Sequence, residues 1–289
     1  MAARNRIGSK TPPRAALWPA LLIAASLAAP AQAAGAFRVC ADPNSLPFSN
    51  QRGEGFENKL AELFARDLGE RVTYTWWAER RGFIRHTLKA GDCDVLMEVP
   101  VGLGGVETTR PYYRSGYVFV SRRDRGLDIA AMTDPRLRRL KIGVQLIGND
   151  GFNTPPAHAL ADLGIRDNVV GYTVYGDYRR PNPPAAVIDA VASGAVDIAA
   201  VWGPLAGYFA HRSTVPLVVT PIADAARFAP LVFEFDMAIG VRKGDDGRRS
   251  EIDALIARHK EEIAALLRDY NIPVFPAAAK DDKPSPGDR

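Results

Sequence analysis

The residues of this sequence that could do chemistry are few, and they do not form a familiar catalytic pattern. Glu98 directly follows the apolar run Val95-Leu-Met97, so it would stand at the end of a buried strand, where a carboxyl can serve as a general acid or base. No partner for Glu98 can be identified from the sequence, and there is no Gly-x-Ser-x-Gly nucleophile motif. The four histidines lack the spacing of a metal site: His86, His158, His211 and His259. These residues favour binding over catalysis and imply no metal and no cofactor.

The chain contains two cysteines, Cys40 and Cys93, and neither belongs to a CxxC motif. In an oxidising compartment an isolated pair is most simply a disulfide. Two buried free thiols are the alternative, since cysteine is often buried.

The elements that must position these residues follow from the apolar periodicity, which predicts two successive β-α-β-α-β units. The first unit has strands at 38–41, 72–77 and 93–97, with helices from 56 to 68 and from about 81 to 91. The second has strands at 141–145, 169–175 and 196–201, with helices at 155–163 and 184–193. This order predicts an α/β fold with doubly wound, mainly parallel sheets, whose ligands bind beyond the carboxyl ends of the strands.

Two extended runs, 111–120 and 235–241, are the natural crossings between two lobes. They predict a discontinuous first lobe, residues 34–116 plus 238–276, and a second lobe of residues 117–237. A long amphipathic helix, from about Ile252 to Leu267, follows the second crossing. The ending 277–289 is rich in Pro, Asp and Lys and is predicted to be disordered.

The N-terminus has the pattern of a signal peptide over residues 1–33. Four basic residues precede an apolar stretch from Ala15 to Ala29, and Ala31-Gln-Ala33 has the form of a cleavage site. A membrane anchor is the alternative, but the stretch is short and Pro19 interrupts it. Without this segment the chain carries 33 basic and 33 acidic residues, so net charge gives no support for a nucleic-acid partner. We therefore expect a periplasmic protein with no membrane span after cleavage.

From Phe37 to Phe275 the chain resembles the family-3 periplasmic solute-binding proteins. The matching segments come in the family's order: Arg38-Val-Cys-Ala-Asp-Pro-Asn, Gly55-Phe-Glu-Asn-Lys-Leu, Gly91-Asp-Cys-Asp-Val, Pro111-Tyr-Tyr-Arg-Ser-Gly-Tyr, Lys141-Ile-Gly-Val-Gln and Ile239-Gly-Val-Arg-Lys-Gly. This resemblance implies a two-lobed, type II binding-protein fold with two hinge crossings. In that fold the strands bearing Cys40 and Cys93 are neighbours, so a disulfide between them is geometrically reasonable.

A narrower resemblance links the chain to the J component (MxaJ/XoxJ) of methanol dehydrogenase gene clusters. It rests on Val39-Cys-Ala-Asp-Pro-Asn-Ser-Leu-Pro-Phe-Ser-Asn, Gly53-Glu-Gly-Phe-Glu-Asn-Lys, Gly91-Asp-Cys-Asp-Val and Tyr270-Asn-Ile-Pro-Val. In that family the binding-protein fold is linked to a periplasmic alcohol dehydrogenase that uses pyrroloquinoline quinone (PQQ). The resemblance implies that this methanol dehydrogenase is the partner.

Amino-acid receptors of the family hold the ligand carboxylate with an Arg and the ligand ammonium with an Asp. In this chain Gly102 and Trp202 align with those two positions. A zwitterion would lose its hydration without compensating charges, at a cost of several kcal/mol, so amino acids are poor candidate ligands.

The loops of the expected cleft offer aromatic and polar side chains instead. They are Asp42, Asn44, Phe48, Trp76, Trp77, Glu98, Gln145, Asn149 and Trp202. Such a set suits a flat apolar ligand or a protein-contact patch. Since neighbours on a strand face opposite ways, at least one of Trp76 and Trp77 can instead be core.

Three functions compete on this evidence. The first is a non-catalytic accessory factor of a PQQ-dependent methanol dehydrogenase, acting by binding the enzyme or assisting its maturation. The alternative is the substrate-binding protein of an ABC transporter for a small molecule that is not a standard amino acid. An enzyme on the same fold, with Glu98 as its acid or base, is the least supported of the three.

Overall fold

A computed structural model of the protein describes Ala2 and residues 35–147, 153–174 and 178–277. Twelve strands lie in this part of the chain: β1 (Ala36–Ala41), β2 (Asn44–Ser45), β3 (Ser49–Asn50), β4 (Arg71–Trp76), β5 (Val95–Pro100), β6 (Glu107–Thr108), β7 (Tyr113–Arg122), β8 (Ile142–Leu146), β9 (Val169–Thr173), β10 (Ile198–Trp202), β11 (Leu217–Pro221) and β12 (Glu234–Val241). Its α-helices are α1 (Phe56–Leu68), α2 (Phe83–His86), α3 (Pro155–Asp162), α4 (Ala186–Ser193), α5 (Gly203–Arg212), α6 (Asp246–Arg258) and α7 (Lys260–Asp269).

The first lobe is built on the parallel strands β4, β1 and β5, with β12 antiparallel to β5. Helix α1 covers this sheet because Phe56, Leu60 and Phe64 recur at helical spacing and all three are fully buried. The helix ends at Gly69, whose φ of 65° lies in the left-handed region that glycine adopts without strain.

The second lobe repeats this plan with the parallel strands β9, β8 and β10. Strand β7 runs antiparallel to β10, and β11 pairs with the other edge of β7. Helices α3 and α4 contribute Leu160, Val187 and Ile188 to the two cores of this lobe. The parallel strands place the residues that follow β8 and β10 at the same edge of the sheet.

Strands β7 and β12 are the two crossings. Tyr113–Gly116 of β7 pairs with Glu234–Met237 of β12, and the rest of β7 then continues into the second lobe. Arg114 joins the two crossings through ion pairs with Glu234 and Asp236, at 3.1 and 3.2 Å. The predicted α/β, two-lobed fold is therefore confirmed, while the division at particular residues stays a prediction.

The disulfide between Cys40 and Cys93 is present, so the pair is not two free thiols. The two Cα atoms lie 5.4 Å apart, and both residues are buried in a small apolar cluster with Leu96 and Val99. The bond fastens the strand β1 to the segment that leads into β5.

The C-terminal segment that follows α7 contacts both lobes. The ring of Tyr270 stacks on Tyr208 of α5 at 5.7 Å and meets Phe56 of α1 edge-on at 6.1 Å. Gly207 permits this approach, since a Cβ atom at that position would lie 1.9 Å from the carbonyl oxygen of Asn271. The segment thus holds the two lobes together on the side of the crossings.

Some predicted elements were wrong in extent. The second helix is a single turn, α2: the backbone of Thr87 leaves the helical region, and the Thr87 hydroxyl donates a hydrogen bond to the carbonyl of Phe83 at 2.7 Å. The long C-terminal helix is two helices, interrupted at His259, whose ring binds Asp67 of α1 at 2.9 Å. Helix α5 and strand β11 were not predicted at all. Apart from Ala2, the predicted signal peptide lies outside the described residues, as does the predicted tail beyond residue 277.

Candidate binding site between the lobes

A cavity of about 370 Å³ lies between the two lobes, at the carboxyl ends of β1, β5, β8 and β10. This is the edge at which doubly wound sheets bind ligands. Its described lining residues are Asp42, Ser45, Phe48, Glu79, Glu98, Pro100, Tyr117, Gln145, Ile147, Thr154, Val174, Tyr178, Pro184, Trp202, Leu205, Phe235 and Met237. The volume is that of a small-molecule site.

Aromatic rings from both crossings and from β10 form one wall of the cavity. Trp202, the last residue of β10, meets Tyr117 of β7 at 5.4 Å and Phe235 of β12 at 5.8 Å, both edge-to-face. Such contacts are favourable and directional. The indole is therefore held in one orientation at the point where the lobes join.

Gln145, at the end of β8, fixes the polar part of the second-lobe wall. Its side-chain oxygen accepts a hydrogen bond from the backbone N–H of Trp202 at 2.9 Å, and its backbone carbonyl accepts one from the Thr154 hydroxyl at 2.7 Å. Gln145 is only 5% exposed, so loss of either bond would leave a buried polar group unsatisfied.

Asp42, just after β1, is the polar centre of the first-lobe wall. One carboxylate oxygen accepts the backbone N–H of Asn44 at 2.8 Å. The other accepts the backbone N–H of Glu79 at 2.7 Å and the hydroxyl of Tyr178 from the second lobe. Asp42 therefore orders its own loop and also joins the two lobes directly.

Asn44 makes a second set of contacts between the lobes. Its side-chain N–H donates to the carbonyl of Arg180 at 2.8 Å, and its side-chain oxygen accepts the backbone N–H of Asn182 at 3.1 Å. We call residues 178–182 the closing segment, since they carry these contacts and that of Tyr178. The segment leads into Pro183-Pro184, and Asn182 adopts a φ of 49°, which asparagine tolerates better than most residues.

Glu98 contributes a further carboxyl to the cavity lining. Its Oε2 atom is buried and has no hydrogen-bond partner among the described residues. Burial raises the pKa of Glu98 to about 8; the neighbouring Glu79 adds to this rise, while Tyr113 and Trp202 oppose it. Burial, and after it the nearby carboxyl of Glu98, also raises the pKa of Glu57.

The charged groups of the lining are all acidic. Asp42, Glu79 and Glu98 are present, and the described lining contains no Lys, Arg or His. The stretches 148–152 and 175–177, whose structure is not described, contain no basic residue in the sequence either. An anionic ligand would therefore lack the cation that normally offsets its charge.

The structure brings together Asp42, Phe48, Glu98, Gln145 and Trp202 of the predicted site residues. Asn44 does not line the cavity; it lines a neighbouring groove that shares Tyr178 with the cavity. Among the described residues Trp76 and Trp77 do not line the cavity: Trp76 stacks on Tyr74 at 4.5 Å, and Trp77, 43% exposed, stacks on His86 at 5.1 Å. Asn149 lies outside the described residues. Binding by any of these residues stays a prediction.

Of the 17 described lining residues, 12 were not predicted from the sequence; the charged and aromatic ones among them are Glu79, Tyr117, Tyr178 and Phe235. Tyr117 and Phe235 lie in the two crossing runs, so treating the crossings as part of the cleft would have found them. Tyr178 precedes the stiff run Pro181-Asn-Pro-Pro184, and that run was the available signal of a segment able to reach across. Glu79 carries no sequence signal of its own.

Comparison with known proteins assigns this architecture. No protein-family model matches the sequence. The chain is 33% identical over 291 residues to Protein MoxJ of Methylorubrum extorquens strain AM1, a match that spans 91% of this chain and 95% of that protein. The chain belongs to the MoxJ family. It also matches two solved structures of this type, MxaJ from Methlophaga aminisulfidivorans MPT and the periplasmic binding protein XoxJ from Methylobacterium extorquens AM1.

The MoxJ-type structures match the fold along their whole length. For MxaJ the TM-score is 0.72 at 28% identity, and for XoxJ it is 0.69 at 32% identity; each match covers 83% of this chain and 100% of the other. The predicted MxaJ/XoxJ resemblance is thus confirmed. No helix in the described part of this MoxJ-family chain is both long and apolar enough to cross a membrane.

Proposed function

We propose that the protein is a non-catalytic, periplasmic accessory factor of a PQQ-dependent methanol dehydrogenase system, which binds the dehydrogenase or assists its maturation. Membership of the MoxJ family supports this proposal, as does the likeness to XoxJ, itself described as a periplasmic binding protein. The structural observation that carries it is the cavity, whose described lining contains carboxyls and no basic side chain.

This lining argues against the usual role of the fold as an amino-acid receptor. A ligand carboxylate entering the cavity would be stripped of water close to Asp42, Glu79 and Glu98. Desolvation costs several kcal/mol, and no basic side chain of the described lining offsets it. A binding-protein fold with such a cleft is better suited to presenting a protein surface.

The mouth of the cleft supplies a candidate surface for the dehydrogenase. A groove there is lined from the first lobe by Pro43, Asn44, Asn50, Gln51 and Arg52, and from the second by Tyr178, Arg179, Arg180 and Pro181. Gln51, Arg52, Arg179, Arg180 and Pro181 are exposed. Because both lobes contribute, this surface exists only while the closing segment is in place. A partner that binds it would therefore select the closed arrangement of the lobes.

The test is binding of the purified protein to purified methanol dehydrogenase, measured by surface-immobilised kinetics. Dehydrogenase with and without PQQ is compared, and an unrelated periplasmic protein is the control. We expect saturable binding that differs between the two forms of the enzyme. Arg180→Glu should weaken it, while Arg227→Glu, the same charge change on an exposed residue of the second lobe outside the groove, should not.

The second candidate is the receptor of an ABC transporter for a small molecule other than an amino acid. The cavity of about 370 Å³ favours it, since a purely protein-binding cleft has no need of that volume. If neither form of the dehydrogenase binds the protein with a Kd below about 100 μM, the first proposal is overturned in favour of this one.

A further inference from the structure

We propose that the cavity between the lobes is a binding site for a small organic amine, whose ammonium group is held by Glu98 and whose apolar body lies against Trp202. This inference concerns the ligand of the cavity and does not depend on which protein the chain assists. It stands on the geometry of the lining.

Glu98 is the natural anchor because its carboxyl has binding capacity left. Its Oε2 atom is buried without a hydrogen-bond partner among the described residues, and an unsatisfied buried oxygen of this kind is unfavourable. Both carboxylate oxygens of Asp42, in contrast, already accept hydrogen bonds from Asn44, Glu79 and Tyr178. An N–H donor entering the cavity would meet the Glu98 carboxyl, which lines it, and would leave the Asp42 contacts in place.

The sign of the charge on the ligand follows from the whole lining. Glu79 and Asp42 lie on the same wall as Glu98, and no described lining residue is basic. A cation would stabilise the ionised form of these carboxyls, which burial disfavours for Glu98. A carboxylate would find no basic side chain in the described lining, so an amine is favoured over an amino acid.

The aromatic wall selects an organic cation over a bare ion. Trp202, Tyr117 and Phe235 offer ring surface for apolar contact and for cation–π attraction, which is strongest at tryptophan. Among the described residues no three His, Cys, Asp or Glu side chains are arranged to hold a metal ion. The ligand class is therefore an amine with an apolar substituent.

The test is calorimetric titration of the purified protein with three sets of matched probes: benzylamine and hexylamine, benzyl alcohol and hexanol, benzoate and hexanoate. We expect the amines to bind at least tenfold more tightly than the alcohols, and the acids not to bind. Equal binding of amines and alcohols, or no binding of either amine, would overturn the proposal. No dehydrogenase is present, so this outcome is independent of the proposed partner.

Variants assign the ammonium contact to Glu98. Glu98→Gln keeps the shape of the side chain and removes the carboxyl group that can ionise beside an ammonium, and we expect it to weaken benzylamine binding at least tenfold. The matched control is Glu261→Gln, the same change on an exposed residue of α7 outside the cavity, with unchanged binding. Thermal unfolding of both variants verifies the fold. Unchanged amine affinity in a folded Glu98→Gln variant would refute the role of Glu98.

Discussion

The hydroxyl of Tyr178 is the contact between the lobes whose removal is most informative. Tyr178→Phe deletes one oxygen, keeps the ring in the cavity wall, and takes from Asp42 its hydrogen bond across the cleft. Burial, and after it the hydrogen bond to Asp42, raises the pKa of Tyr178 above its ordinary value, so the hydroxyl is a donor at neutral pH.

The expected magnitude follows from the surroundings of this bond. A hydrogen bond to a charged acceptor contributes about 1.5–3 kcal/mol when buried. Asp42 is 3% exposed but Tyr178 is only partly buried, so the lower figure applies. A loss of about 1.5 kcal/mol changes the ratio of open to closed lobes about tenfold.

The hydrogen-exchange rate of a single backbone amide measures this ratio directly. The N–H of Asn182 donates to Asn44 across the cleft, so it exchanges only when the lobes separate or the segment unfolds. We expect about tenfold faster exchange of this amide in Tyr178→Phe. The control Tyr172→Phe, which removes a hydroxyl from β9 outside the cavity lining, should leave the rate unchanged. Equal rates in wild type and Tyr178→Phe would refute the view that this hydroxyl holds the lobes closed.

Three further predictions concern stability. Folding keeps Glu98 protonated up to about pH 8, whereas an unfolded glutamic acid ionises near pH 4.5. The native state therefore binds more protons than the unfolded state between these pH values, and the free energy of unfolding falls as pH rises. Urea unfolding at pH 5 to 8 should show a shallower fall in Glu98→Gln, and identical slopes would contradict the buried state of this carboxyl. Gly207→Ala should lower the melting temperature by several degrees, because the added Cβ displaces the C-terminal segment even though alanine is the better helix former. The control Gly247→Ala in α6, where an added Cβ meets nothing within 4 Å, should not lower it. Equal melting temperatures of wild type and Gly207→Ala would disprove the clash. Reducing the Cys40–Cys93 bond, which links residues 53 apart, should lower the free energy of unfolding by about 4 kcal/mol in denaturant titrations; a loss below about 1 kcal/mol would contradict a structural role.

The architecture was predictable because regular patterns specify it. Helical spacing of Phe56, Leu60 and Phe64 and the repeated β-α-β-α-β order are local properties of the chain, and they led to the correct fold class. The Cys40–Cys93 pairing followed once the neighbouring strands were inferred from the family resemblance. The failures have two sources: at Thr87 a local hydrogen bond from the side chain to the backbone of Phe83 accompanies the end of the helix, and at His259 a tertiary contact with Asp67 accompanies the break.

The cavity was predictable only in part. Residues at or just after the end of a strand, such as Asp42, Gln145 and Trp202, stand at the carboxyl edge of the sheet in any fold of this class, and the structure places all three in the cavity lining. Tyr178 reaches the cavity through a segment whose course depends on the other lobe, and no periodicity encodes that contact. Trp76 and Trp77 have the residue type expected of a binding cleft, but ring stacking within the first lobe engages them instead.

The most direct test of the proposed function is the interaction with the dehydrogenase, measured with wild-type protein and with Tyr178→Phe. We expect saturable binding of wild type to PQQ-loaded or PQQ-free methanol dehydrogenase, with weaker binding when the closed arrangement of the lobes is destabilised in the variant. Saturable binding that the variant leaves unchanged would contradict the view that the partner selects the closed lobes. Absence of saturable binding to either form of the enzyme would contradict the proposed function itself.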